Sequence, residues 1–264
     1  MSTAKDRWHK TFNLLFSACA EIAASVGDPL FYAENIQEVE RSARRLEEDP
    51  TARECMKVAA EFGNFMGHGL SHIRKVAVDA GAIVLIEAPR ASRDDGAAEP
   101  ERLMLLAHLA GILHDTKRHE KDHARLGAEC AGGILKNFEL SPGERAMITG
   151  AIRNHEAFQI PDPLDSPEAQ LLSDALYDAD KFRWGPDNFT ETLWAIVEER
   201  RIDFQVLFER FPHGLNGIER IRGTFRTSCG KAYGPDFIDR GLEIGKRLMG
   251  RYEEIRRLTA GGDE

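Results

Sequence analysis

Apolar residues recur with the period of an α-helix along most of the chain, and this pattern limits the possible folds most strongly. Within residues 72–88 the apolar side chains follow the spacing i, i+3, i+4, i+7, which is typical of a helix with one buried face. Residues 101–115 and 235–258 also form predicted helices. No stretch alternates apolar and polar residues over the length that a half-buried strand needs. The sequence therefore predicts an all-α fold.

Capping residues mark two helix starts. Residues 141–144 read Ser-Pro-Gly-Glu, which provides an N-cap serine, a proline in the first turn and a glutamate that can complete a capping box. Asp165 or Ser166 can cap the next helix, which covers residues 168–182. We therefore expect two well-defined helices on either side of a proline-containing break.

The remaining boundaries are predicted from polar, glycine-bearing and proline-bearing segments. Ser71 is the predicted N-cap of the helix over residues 72–88, and residues 87–100 form a predicted surface loop. A further helix should begin near Glu120, and the terminal helix should begin at Pro235.

Composition limits the cellular location and the partners of the chain. Its 264 residues include 35 Lys and Arg against 44 Asp and Glu, and the net charge of −9 argues against a general nucleic-acid surface. The four cysteines are widely spaced, so we expect reduced thiols rather than disulfides or a zinc ribbon. No apolar run approaches membrane-spanning length, and no signal-peptide core is present near Met1. We expect a cytoplasmic protein without membrane association.

Imidazole and carboxylate side chains lie at or near the apolar faces of five predicted helices. These residues are His72, His114 with Asp115, His123, His155, and Asp178 with Asp180. Helical bundles build metal sites when facing helices direct such side chains toward one another. Mixed His and Asp ligation suits Zn²⁺, Mn²⁺, Fe or Ni²⁺. The competing interpretation is a set of solvated helix ends, where His and Asp also occur.

The segments around these residues resemble, in order, the motifs of the HD-domain superfamily of metal-dependent phosphohydrolases. The matching segments are SHIRKV, LAGILHD, HARLGAE, AIRNHE and DADKF, which together carry the signature H…HD…D. The resemblance covers residues 65–185 and implies an HD-domain helical bundle there. Residues 1–64 and 186–264 would then be helical extensions, the second of them packed on the core.

The resemblance also implies a ligand set for a divalent metal ion. His72, His114, Asp115 and Asp180 occupy the positions of the signature. Asp180 is chosen over Asp178 because it matches the final aspartate of the family motif, while Asp178 would cap a helix or orient a ligand.

A second ion is implied by the two intervening segments. In family members with two ions, histidines at the positions of His123 and His155 bind the second one, and Asp115 would bridge the pair. The sequence departs from some of those members at Asn154, where they carry a histidine. The expected cofactor is one or two ions of Mn, Fe, Ni, Co, Zn or Mg per chain.

Cationic residues near the motifs are candidates for binding phosphate. Family members often carry a functional residue three positions after the HD aspartate, which here is Arg118, and Lys117 adds charge beside it. Together with Asp115 these two form the predicted catalytic set. Lys75 and Lys181 are predicted substrate-binding residues, although an exposed surface role suits each of them equally well.

The function implied by the resemblance is hydrolysis of a phosphomonoester or phosphodiester in a nucleotide or a related small molecule. A bound divalent ion supports this chemistry because it acidifies water and polarises a phosphoryl oxygen. Two alternatives remain open: a di-iron oxygenase of the HD type, and a non-catalytic HD module that binds metal or ligand and regulates a partner. The sequence determines neither the substrate, nor the metal, nor the oligomeric state.

Overall fold

Every regular element in the computed structural model, which describes residues 4–62, 69–91 and 99–260, is helical. The prediction of an all-α fold is confirmed. In chain order the α-helices are α1 (Ala4–Val26), α2 (Leu30–Glu34), α3 (Ile36–Glu48), α4 (Pro50–Ala60), α5 (Leu70–Ala91), α6 (Pro100–Leu113), α7 (His123–Ile134), α8 (Pro142–Arg153), α9 (Pro167–Phe182), α10 (Leu193–Arg200), α11 (Phe204–Ile221) and α12 (Ser228–Ala260). A 3₁₀ turn covers Leu135–Asn137, and a π-helical turn covers Asn188–Thr192.

The predicted N-terminal caps of α8 and α9 are both confirmed. At the start of α8, Ser141 Oγ accepts from the Glu144 amide at 3.2 Å, and the Glu144 carboxylate accepts from the Ser141 amide at 2.7 Å. Ser166, rather than Asp165, caps α9, because its Oγ accepts from the Ala169 amide at 3.1 Å. These caps are local interactions, which is why short sequence segments could predict them.

The predicted start and end of α5 are wrong. The helix begins at Leu70, so Ser71 lies within its first turn, and the Ser71 hydroxyl donates to Glu191 Oε2 at 3.0 Å instead of capping. The helix also continues to Ala91, into the segment predicted as a loop; residues 92–98 of that segment lie outside the described residues. Near this end, buried Glu87 accepts from the Cys229 amide at 2.6 Å, a long-range contact that a local pattern cannot reveal.

Helices α7 and α12 start at other residues than predicted. The segment before α7 forms successive turns, in which the Arg118 amide donates to the Asp115 carbonyl at 3.0 Å, so the helix begins only at His123. Helix α12 begins at Ser228, ahead of the predicted start, because Thr227 Oγ1 accepts from the Gly230 amide at 2.7 Å as a cap. Pro235 therefore lies inside α12 and does not begin it.

Helices α5 and α6 form the centre of the fold. Helix α5 also packs on α9 and α3, and α6 packs on α8 and α4. Helices α5 and α6 approach closely at Gly111, where a Cβ atom would lie 2.6 Å from Ala77 Cα. This close packing places the start of α5 beside the end of α6, where His72 and His114 lie.

The terminal helices share one hydrophobic core with the central ones. Helix α1 packs along α12, and α12 also contacts α5 and α9. Trp8 Nε1 donates to the Ile202 carbonyl at 3.0 Å, which ties the N-terminal helix to the C-terminal region. Among the described residues, no helix combines the length and the apolar character needed to cross a membrane.

Candidate metal centre

Three helices bring four metal-binding side chains together in the interior. His72 lies in the first turn of α5, His114 and Asp115 follow the last turn of α6, and Asp180 lies in the last turn of α9. All four side chains are almost fully buried, with exposed fractions of 5%, 0%, 3% and 10% in that order. Isolated charges are costly to bury, so such a cluster requires internal compensation of charge.

The spacing of these side chains matches a metal coordination sphere. The Nε2 atoms of His72 and His114 are 3.3 Å apart, and they lie 3.7 and 3.4 Å from Asp115 Oδ2. Asp180 Oδ1 is 3.6 Å from His72 Nε2 and 3.7 Å from His114 Nε2. Neighbouring ligands of a tetrahedral zinc ion with N or O bonds of 2.0–2.1 Å are about 3.3–3.4 Å apart. His72, His114 and Asp115 could thus hold a single divalent ion, and Asp180 lies at a similar distance from both histidines.

Hydrogen bonds orient two of the imidazoles for metal binding. His114 Nδ1 donates to the Gly111 carbonyl at 2.8 Å, and His155 Nδ1 donates to the Ile152 carbonyl at 2.6 Å. In the neutral ring this leaves Nε2 as an acceptor, which is the usual arrangement for a metal-bound histidine. His155 Nε2 is buried without a hydrogen-bond partner in the described part of the chain, and it faces Asp115 Oδ1 at 3.6 Å. A cation would satisfy this atom.

The electrostatics of the cluster favour ionised carboxylates beside positive charge. Burial alone would raise the pKa of Asp180, but Lys181, His114 and His72 outweigh burial and hold this pKa well below its ordinary range. Burial lowers the pKa of His114, and the neighbouring carboxylates of Asp115 and Asp180 more than reverse that effect. The Asp180 carboxylate is therefore ionised and lies beside the histidines.

A second group of possible ligands shares Asp115 with the first. Oxygen and nitrogen atoms of Asp115, His123 and His155 lie within 4.8 Å of one another. However, His123 Nε2 accepts a hydrogen bond from Arg118 Nη1 at 3.0 Å. Burial, His155 and Arg118 together lower the pKa of His123 to about 4, so this ring is neutral at neutral pH. An ion bound through His123 Nε2 would have to displace the guanidinium.

The cluster lies at the wall of a cavity of about 410 Å³. Its lining residues come from four parts of the chain and are His72, Arg118, His123, His155, Glu156, Ala157, Phe158, Asp180, Lys181, Arg183, Trp184, Asn188, Thr192 and Ile196. A small molecule in this cavity would reach His72 and Asp180 of the cluster.

The predicted cationic residues differ in their positions. Arg118 and Lys181 line the cavity, and Lys181 Nζ donates to Asp180 Oδ2. Lys117 is not among the lining residues. Lys75 lines a neighbouring cavity instead, where its ammonium group is paired with Asp187 and Glu191.

Asp178, the rival of Asp180, has a different environment. Its Oδ1 accepts from the Arg226 amide at 2.8 Å, and its Oδ2 accepts from the amide and the hydroxyl of Thr227 at 2.8 and 2.7 Å. The Asp178 carboxylate is therefore engaged with the residues that precede α12, whereas Asp180 faces the histidines.

Sequence reasoning missed one side of the cavity. Residues 156–158, at the end of the AIRNHE segment and just after it, line one part of the cavity. The remaining wall comes from residues 184–196, which follow α9 and include the π-helical turn. No motif marked this segment, because its role depends on how it folds back over α5.

Comparisons of the chain with protein-family models, with curated proteins and with solved structures find no match. The chemical interpretation of the site rests on its own residues. Its buried His and Asp groups could hold a metal ion.

Proposed function

We propose that this protein is a metal-dependent phosphohydrolase that acts on a small phosphorylated molecule. The observation that carries the proposal is the buried set of His72, His114, Asp115 and Asp180, whose facing atoms are 3.3–3.7 Å apart in five of the six pairs. The cavity beside this set can admit a substrate. The ordered resemblance to HD-domain phosphohydrolases agrees with this chemistry.

The four residues would hold one divalent ion, and Mn, Fe, Ni, Co, Zn and Mg are the candidates. When bound, such an ion lowers the pKa of water and polarises a phosphoryl oxygen. The protein supplies the orientation of the ligands: the Gly111 carbonyl holds the His114 ring, and Lys181 binds the Asp180 oxygen opposite the histidines. Preorganised ligands of this kind lower the cost of reaching the reactive geometry.

Arg118 supplies positive charge for the phosphate. Its guanidinium lines the cavity and lies 4.0 Å from Asp115 Oδ1, at the edge of the ligand cluster. An arginine at this position can donate two hydrogen bonds to phosphate oxygens and offset the charge that develops during transfer. Lys181 acts through Asp180, and Lys75 and Lys117 have no direct role in this proposal.

The hydrogen bond between Arg118 and His123 favours hydrolysis over the oxygenase alternative. A di-iron site needs the second group of ligands, and His123 Nε2 is engaged by the guanidinium in this arrangement. The non-catalytic alternative predicts metal or ligand binding without turnover. Metal analysis combined with activity assays separates the hydrolase, the oxygenase and the non-catalytic module.

Metal analysis and an activity panel test the proposal. Protein purified without chelator should contain a divalent ion and hydrolyse phosphate esters with Mn²⁺, Co²⁺, Ni²⁺ or Mg²⁺. His114→Ala and Asp115→Ala should each lose the ion and the activity while keeping their helix content. His119→Ala is the matched control, because this nearby histidine has 46% of its side chain exposed. Full metal occupancy in the Asp115 variant, or oxygen-dependent turnover without phosphatase activity, would refute the proposal.

A further inference from the structure

The cavity beside the proposed metal centre is lined by both charged and apolar side chains. Arg118, Asp180 and Lys181 lie beside or within the ligand cluster. Ala157, Phe158, Trp184 and Ile196 provide apolar lining residues, two of them with aromatic rings. A ligand that fills this space would place a charged group near the ligand cluster and a flat apolar group against the rings.

The charges along the cavity suit a ligand with a single phosphate. Of its three lining cations, Lys181 is paired with Asp180, and Arg183 is paired with Asp79 and Asp187. Arg118 donates to His123 Nε2 and has only a long contact, 4.0 Å, with the Asp115 carboxylate, so it is the lining cation least engaged by carboxylates and best able to bind a phosphate. Glu156 adds a negative charge to the lining. A chain of two or three phosphates would lack cationic partners here.

The backbone at Phe158 supports a role for its ring. Phe158 has a φ of 64°, a left-handed conformation that is unfavourable for a bulky side chain. Its side chain is only about half buried although it is aromatic, and the Arg220 guanidinium lies 4.4 Å from the ring centroid. Backbone strain of this kind is concentrated at ligand-binding sites. The Phe158 ring is therefore half exposed at the cavity, and the Arg220 guanidinium covers one of its faces.

The π-helical turn adds neutral polar groups to the same cavity. Asn188 and Thr192 line it from the two ends of the turn. The turn is held against α5, because Glu191 accepts from both Ser71 and Lys75. π-Helical turns occur frequently at functional sites. These amide and hydroxyl groups can bind hydroxyls or ring edges without adding charge.

We infer that the cavity selects a phosphate monoester of an aromatic-bearing molecule, such as a nucleoside monophosphate, over the corresponding diphosphate and triphosphate. This inference rests on the proposed function and names the substrate class for the same site. The volume agrees, since about 410 Å³ lies near the lower end of the roughly 300–1,000 Å³ that is usual for small-molecule sites.

Steady-state kinetics on the wild-type protein test the charge argument. The substrates are the mono-, di- and triphosphates of one nucleoside, with glycerol phosphate as a small aliphatic monoester. We expect kcat/KM for the monophosphate to exceed that for glycerol phosphate by about tenfold, since one stacked ring contributes about this factor. It should also exceed kcat/KM for the triphosphate, because the additional phosphates lack cationic partners in the cavity. Equal or faster hydrolysis of the triphosphate would overturn the inference, and so would equal hydrolysis of glycerol phosphate.

Trp184→Leu and Phe158→Leu test the aromatic wall. Each should lower the ratio of kcat/KM for the nucleoside monophosphate to that for glycerol phosphate about tenfold. Phe16→Leu, which changes an exposed ring outside the cavity, should leave this ratio unchanged. If Trp184→Leu folds poorly, Phe158→Leu decides the matter, because its side chain is exposed. An unchanged ratio in folded variants would refute the aromatic wall.

A binding measurement separates this inference from the proposed function. Titration with the nucleoside monophosphate should quench tryptophan fluorescence in the wild type and not in Trp184→Leu. Quenching without hydrolysis of any ester would support the aromatic site and refute the phosphohydrolase. Hydrolysis without quenching would refute the aromatic site alone.

Discussion

Arg118 and His123 are joined by a hydrogen bond in which the guanidinium Nη1 donates to the imidazole Nε2 at 3.0 Å. The same guanidinium lies 4.0 Å from Asp115 Oδ1, which also faces His155. Arg118 thus occupies the position from which a second ion would contact His123. His123 Nε2 and Asp115 Oδ1 can serve either the arginine or a metal ion, but not both at once.

Replacing Arg118 should therefore change metal stoichiometry. We expect the wild type to bind one ion tightly and a second at least tenfold more weakly, because the second must displace the guanidinium. Arg118→Ala should strengthen the second site at least tenfold while lowering phosphatase activity, as followed by calorimetric titration with Mn²⁺. His123→Ala is the control, and it should lose only the weak site. Two equally tight ions in the wild type would contradict this expectation.

Asp180 and Asp178 should fail in different ways. Asp180→Asn should weaken metal binding at least tenfold and abolish activity, because its carboxylate faces His72 and His114. Asp178→Asn should lower the free energy of unfolding by about 1–3 kcal/mol, because an amide cannot accept all three hydrogen bonds at that position. Metal titration and urea denaturation of both variants measure the two effects. The reverse ranking would mean that the motif is assigned two residues too late.

Gly111→Ala should disturb the packing that holds the two central histidines together. The new Cβ atom would lie 2.6 Å from Ala77 Cα, so α5 and α6 must separate, at a cost of about 1–3 kcal/mol. Metal affinity should fall as well, since His72 and His114 belong to these helices. Gly133→Ala is the matched control, because nothing lies within 4 Å of its added Cβ atom and alanine favours a helix. Urea denaturation curves that are the same for both variants would contradict this packing argument.

Asp79 should make stability depend on pH. Burial raises the pKa of this carboxyl from 3.8 to about 6, against the opposing effect of Arg183. Between these values the folded chain binds more protons than the unfolded chain, so the free energy of unfolding should fall as pH rises from about 4 to 6. The change is about 2 kcal/mol over this interval. Thermal unfolding across the interval should show a flatter pH dependence for Asp79→Asn, and an unchanged slope would contradict the assignment.

Local interactions explain which parts of the structure could be predicted from sequence. Ser141 and Ser166 cap the helices that immediately follow them, so a few adjacent residues determine those starts. Ser71 failed as a predicted cap because its hydroxyl binds Glu191, a residue 120 positions away. The environment of Lys75 was equally hidden from local patterns, because its partners Asp187 and Glu191 lie more than 100 residues further along the chain.

The candidate site also contains residues that local motifs predicted and residues that only the fold brings together. The ordered motifs predicted the histidines and aspartates that the fold brings together, since each motif lies within one helix end. Trp184, Asn188 and Ile196 carry no such signal, because only the path of the chain after α9 brings them to the cavity. The sequence also gave no indication that Arg118 would bind His123, which depends on the turns before α7.

The π-helical turn at Asn188–Thr192 follows residue 185, whereas all six predicted metal-binding residues precede residue 185. Substitutions at Asn188, Thr192 or Ile196 can reshape the cavity without altering any predicted ligand of the ion. Under the proposed function, the predicted ligands and part of the substrate-recognition surface are therefore encoded in separate stretches of the gene. Mutations after residue 185 would then be expected to change specificity while the six predicted ligands are preserved.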